Sequence, residues 1–114
     1  MDFKKFNRAN ARRFNFDAKG NQFTNLRKLW DMDKGGEKSY IVRACYINKR
    51  GHYGDEPMCI TDGWNINLPK HLLKVIKDIL SDDDAVETIN EGKALFQIRE
   101  YENESGKHYT IEFV

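Results

Sequence analysis

Residues 64–92, WNINLPKHLLKVIKDILSDDDAVETINEG, decide how this chain folds, because they pass from strand patterning to helix patterning and then to a stop. Trp64, Ile66 and Leu68 alternate with Asn65 and Asn67, the period of a half-buried strand. From Leu72 the spacing changes. Leu72, Leu73, Ile76, Ile79 and Leu80 fall on one helical stripe, and Lys70, Lys74 and Lys77 fall on the other side. Asn67 is placed to cap this helix, and Pro69 suits its first turn, where an N–H is not needed. Ser81-Asp82-Asp83-Asp84 starts a second helix or turn. Asp84 and Glu87 have capping-box spacing, and carboxylates at that end suit the helix dipole. Val86 and Ile89 are its expected buried residues, and Gly92 is its expected stop.

Strand patterns flank this helical segment. Upstream, residues 39–48 (SYIVRACYIN) are β-branched and aromatic without a breaker, which predicts a well-buried strand. KRGHYGDE turns the chain, and residues 58–61 (MCIT) return as a strand that the 64–68 alternation extends or bends. Downstream, Ala94, Phe96 and Ile98 alternate within 94–101, ENESGK is a loop, and Tyr109, Ile111 and Phe113 alternate within 108–114. These two pair as a hairpin. Residues 23–32 (FTNLRKLWDM) suit a helix through Phe23, Leu26 and Trp30, or a strand through Leu26, Lys28, Trp30 and Met32. The strand is the expectation, ended by DKGG. The predicted fold is mainly β (α+β): an OB-like five-stranded barrel or sheet with a helical insertion between strands 3 and 4. That domain spans 23–114. Residues 1–22, with Phe3, Phe6, Phe14 and Phe16 among Asn and Arg, form a basic N-terminal arm or short helix.

A length of 114 residues fits one domain with one modest core. No apolar run approaches the roughly 20 residues of a membrane helix, and MDFKKFNRANARR lacks the apolar stretch of a secretory signal. Two cysteines, Cys45 and Cys59, are too few for a stapled secreted scaffold, so a reducing cytoplasm is expected. Net charge is +1 but uneven: residues 1–57 carry 13 Lys/Arg against 7 Asp/Glu, and residues 58–114 carry 6 against 11. Such asymmetry suits one face to an anionic partner.

Flat rings and cations are the residue types that grip unpaired bases and phosphates. Tyr46, Tyr53, Trp64 and Tyr101 stand among Arg43, Lys49, Arg50 and Arg99, and these eight form the expected nucleic-acid site. Tyr53 sits in the loop Lys49-Arg50-Gly51-His52-Tyr53, where an aromatic has little core role. Packing explains Tyr46 and Trp64 equally well. Lys4, Lys5, Arg8, Arg12 and Arg13 would clamp phosphates, solubilise a tail or form a dimer contact. Cys45, His52, Cys59 and His71 lack the short ligand spacings of a zinc site, so core thiols and no metal or cofactor are expected. Glu91-Gly92-Lys93 after Asp82–Asp84 has the residue types of a metal-dependent nuclease, but helix capping explains them, and no catalytic centre is expected.

The segments INKRGHYGD, NINLPKHLLKVIKDIL, INEGKALFQIREY and YTIEFV resemble small proteins of phages and mobile elements of Gram-positive bacteria. The resemblance covers roughly two thirds of the chain, from about residue 40 onward. That group is similar to single-stranded DNA-binding proteins of replication modules, and it carries over no set of functional residues. It implies binding of single-stranded DNA in replication or recombination, alone, as a homodimer, or with host or phage replication proteins. The alternative is a protein–protein interaction module, a phage factor that inhibits or recruits a host protein through exposed aromatics.

Overall fold

Where the sequence fits two periods, capping decides. Asn25 holds an extended backbone, and its side chain accepts a hydrogen bond from the Lys28 N–H at 3.0 Å, which satisfies one open donor of a helix start. The segment expected as one strand is therefore split into β1 (Gln22–Asn25) and helix α1 (Leu26–Met32). Leu26 and Leu29 turn into the core and Lys28 faces out, a helical rather than an alternating pattern.

The computed structural model describes residues 14–33, 38–51 and 54–114, apart from the side chains of Arg50 and Gly51. Most of the expected N-terminal arm lies outside the described residues. Within them, Phe14 packs against the core, and the Asn15 N–H donates to the Asn90 side chain at 2.9 Å.

The expected 39–48 strand divides into β2 (Tyr40–Ile41) and β3 (Ala44–Gly51). The division has a hydrogen-bonding cause. The Val42 N–H donates to the Ala94 carbonyl at 2.8 Å, whereas the next N–H, of Arg43, donates to the Ile60 carbonyl at 2.7 Å. One extended segment thus belongs to two sheets. β3 pairs antiparallel with β4 (Gly54–Thr61), and β4 with β5 (Trp64–Asn67), which pairs parallel with β1, giving the order β1-β5-β4-β3. β2 pairs with β6 (Leu95–Asn103), and β6 with β7 (Gly106–Phe113), giving the order β2-β6-β7. The fold is α+β, with two sheets and three helices among the described residues and no closed barrel.

Trp64–Asn67 does not extend the preceding strand. Gly63, at φ +87°, closes a reversal, so β5 runs back along β4. The helical insertion lies between β5 and β6 as a 3-10 turn (Lys70–Leu72), α2 (Leu73–Leu80) and α3 (Asp83–Asn90). Its caps differ from expectation. Asn67 stays in β5, and Pro69 precedes the 3-10 turn without a side-chain cap. Asp82, not Asp84, caps α3, accepting from the Asp84 and Ala85 N–H groups at 2.9 and 3.2 Å. Gly92 is the expected stop: at φ +73° its N–H reaches the Ile89 carbonyl while the Lys93 N–H reaches that of Thr88.

The core lies where β6, β4 and β5 meet the helices. Phe96, Ile98, Met58, Ile66, Leu29 and Ile76 are all essentially inaccessible. Tyr40 stacks on Phe96 with ring centroids 5.2 Å apart, which fastens β2 to β6.

Candidate nucleic-acid interface

The β6–β7 hairpin is longer than its alternation suggests. Only Glu104 and Ser105 form its turn, with Asn103 opposite Gly106. The Asn103 side chain accepts from the Ser105 N–H at 2.8 Å and lies 3.0 Å from His108 Nε2. This register sets Tyr101 across from His108, on one face of the sheet. Their rings stack with centroids 5.4 Å apart and planes 27° apart. His71, from the 3-10 turn, meets the same Tyr101 ring edge-on at 6.3 Å, and its Nε2 lies 2.9 Å from Thr110 Oγ1. Tyr101 therefore contacts two imidazoles, yet 41% of it stays accessible.

A recess of about 370 Å³ adjoins these rings. Its walls are the start of α1, the bend after β5 and the hairpin, with Arg27 and Lys107 as its cations and Asn25 and Asn67 as its amides. On the other face of the hairpin, Tyr109 lies 5.7 Å from Trp30 and donates to Glu100 at 3.0 Å. Desolvation first, then the Glu100 carboxylate, pushes the Tyr109 phenol above its usual pKa. Tyr109 anchors the hairpin to α1, and Tyr101 keeps its ring exposed.

The eight residues expected from the sequence do not share this surface. Arg43 is tied to the β4–β5 turn: Nε and Nη2 donate to the two Asp62 oxygens at 3.1 and 3.3 Å, and the guanidinium lies over Phe16 at 5.8 Å. Tyr46 is half-buried on β3 opposite Met58, and burial raises its pKa. Trp64 is half-buried against the core. Lys49 is exposed on β3, while Tyr53 and the Arg50 side chain lie outside the described residues. Arg99 shares a face of β6 with Tyr101, but it donates to Glu112 at 3.1 Å and Gln97 at 2.7 Å. Of these eight, Tyr101 alone among the described residues brings an exposed ring.

His71, His108, Arg27 and Lys107 escaped the sequence reading. The three histidines look dispersed along the chain, and His52 lies outside the described residues. A two-residue turn at Glu104-Ser105 would have paired Tyr101 with His108; treating ENESGK as a six-residue loop hid that register.

The other chemistry is structural. Asp82 caps α3, and Lys93 pairs with Glu91 at 3.0 Å. Among the described residues no three His, Cys, Asp or Glu side chains converge as metal ligands. Cys45 and Cys59 face each other in register as buried free thiols. A hydrogen bond with Cys45 first, and burial second, hold the Cys59 thiol well above its usual pKa. No described helix is long and apolar enough to cross a membrane.

No family model, curated protein or solved structure matches this chain.

Proposed function

We infer that this protein binds single-stranded DNA, with the Tyr101 ring as the stacking platform and Arg27 and Lys107 as phosphate contacts. One observation carries the reading: an accessible aromatic ring in contact with His71 and His108 stands beside a recess whose lining cations are Arg27 and Lys107. Fixing a ring before binding reduces the entropy lost on stacking. A duplex hides its base faces, so single strands are preferred. In this reading the two sheets act as an open, OB-like platform with the β6–β7 hairpin as its arm. The setting would be cytoplasmic, in a phage or mobile-element replication or recombination module.

The test is titration of a dT homopolymer, followed by tyrosine fluorescence over a range of salt. Binding should weaken as salt rises. Tyr101→Ala should remove about 1–3 kcal/mol, the range for one stacked base. Absence of binding at low salt, or unchanged affinity in Tyr101→Ala, contradicts the reading. The alternative of a protein–protein module is favoured by a different surface, the apolar trough beside α2 and α3.

A further inference from the structure

A trough of about 430 Å³ runs between α2, α3 and the base of the β6–β7 hairpin. Val75, Ile79, Ala85, Leu95 and Phe113 form its apolar walls. Phe113 and Val114 at its end are 45% and 57% accessible, although both are large and apolar. Among the described residues, the only charged side chains lining it are Asp78 and Asp82. One oxygen of each is used within the chain: Asp78 Oδ2 accepts from Lys74 at 3.2 Å, and Asp82 Oδ1 caps α3. The other oxygen of each carboxylate is not part of those bonds. Residues 78–91 carry six carboxylates, Asp78, Asp82, Asp83, Asp84, Glu87 and Glu91, and no Lys or Arg.

We propose that this trough docks a basic peptide segment of a partner protein, anchored by one or two aliphatic or aromatic side chains and clasped by Asp78 and Asp82. The proposal is independent of nucleic-acid binding at Tyr101. The apolar walls supply affinity by removing anchor side chains from water, and the carboxylates supply sign and register. The charges rule against other occupants. A second copy docked face to face would set the same carboxylates against each other, since a two-fold contact repeats one patch on both sides. A nucleic acid or an anionic amphiphile meets the same repulsion. A small neutral molecule needs a site that encloses most of its surface, and an open trough does not.

Amide chemical shifts of the nitrogen-15-labelled full chain test this with three acetylated, amidated peptides: RLKFR, its charge-reversed form ELEFE, and RSKSR, which lacks apolar anchors. RLKFR should shift the amides of Ile79, Ala85, Leu95 and Val114 and bind more weakly as salt rises; ELEFE and RSKSR should leave them in place. Asp78→Lys, a change at an exposed side chain, should weaken RLKFR about five-fold or more without altering the rest of the spectrum. Ala85→Arg, which plugs the trough with a cation, should abolish the shifts. The proposal is overturned if millimolar RLKFR shifts nothing there, if ELEFE or RSKSR binds equally, or if Asp78→Lys leaves affinity unchanged. It is also overturned if these amides shift with protein concentration alone, which would assign the face to a second copy.

Discussion

Arg99 and Tyr101 lie on one face of one strand, and their surroundings give them different work. Arg99 is tied to Glu112 and Gln97, whereas Tyr101 presents its ring. Arg99→Ala should therefore change DNA affinity little, and Tyr101→Ala should lower it about ten-fold, with Tyr101→Phe close to wild type because stacking needs the ring. Lys107→Ala should reduce the slope of log affinity against log salt by about 0.7, the single-strand value for one phosphate contact. The thiols make a separate prediction. The Cys59 pKa is raised by Cys45 and burial, so the folded state keeps a proton that the unfolded chain releases at high pH. That stabilisation is complete below the unfolded thiol pKa and is lost as pH climbs above about 8.5. Urea midpoints should fall between neutral pH and pH ~9.5, and the fall should be smaller in the Cys45→Ala/Cys59→Ala variant. A midpoint equally pH-dependent in both proteins would contradict this.

At the scale of elements, local signals were legible where one period dominates. The α2 stripe, the α3 start within Ser81–Asp84, the Gly92 stop and the final hairpin follow from spacing alone. The 23–32 segment misled because its apolar residues satisfy two periods, and the cap that breaks the tie, Asn25, sits inside it. Asn25→Ala should cost about 1 kcal/mol by chemical denaturation and release the α1 end from the recess. The division of 40–51 between sheets was not legible, because it depends on carbonyls at Ala94 and Ile60, far along the chain. Gly92 is constrained twice, by its positive φ and by Arg43 Nη1, which would lie 3.3 Å from an added Cβ. Gly92→Ala should therefore destabilise by more than the roughly 0.4–1 kcal/mol that such a change adds at a compatible site.

For the whole molecule, the coarse α+β class with mostly strands was legible in the sequence, whereas the structure does not bring the eight expected residues onto one surface, for one physical reason. Burial patterns are local, but a binding surface is assembled from elements whose contacts the pattern does not encode. Trp64 packs against the core, Tyr46 is half-buried on β3, and Arg43 is tied to Asp62. The Tyr101 and His108 rings meet through the hairpin register, and the 3-10 turn after β5 brings His71 to them. Phe96 joins the sheets to the core and is fully inaccessible, so Phe96→Ala should cost about 3–5 kcal/mol and weaken DNA binding only through loss of folded protein. The deciding measurement is a shift map of the full chain with a short dT oligonucleotide at low salt. Perturbed amides should cluster at Arg27, His71, Tyr101, Lys107 and His108. No perturbation, or a cluster confined to Arg43, Tyr46 and Trp64, would contradict the assignment of the binding surface to the β6–β7 hairpin.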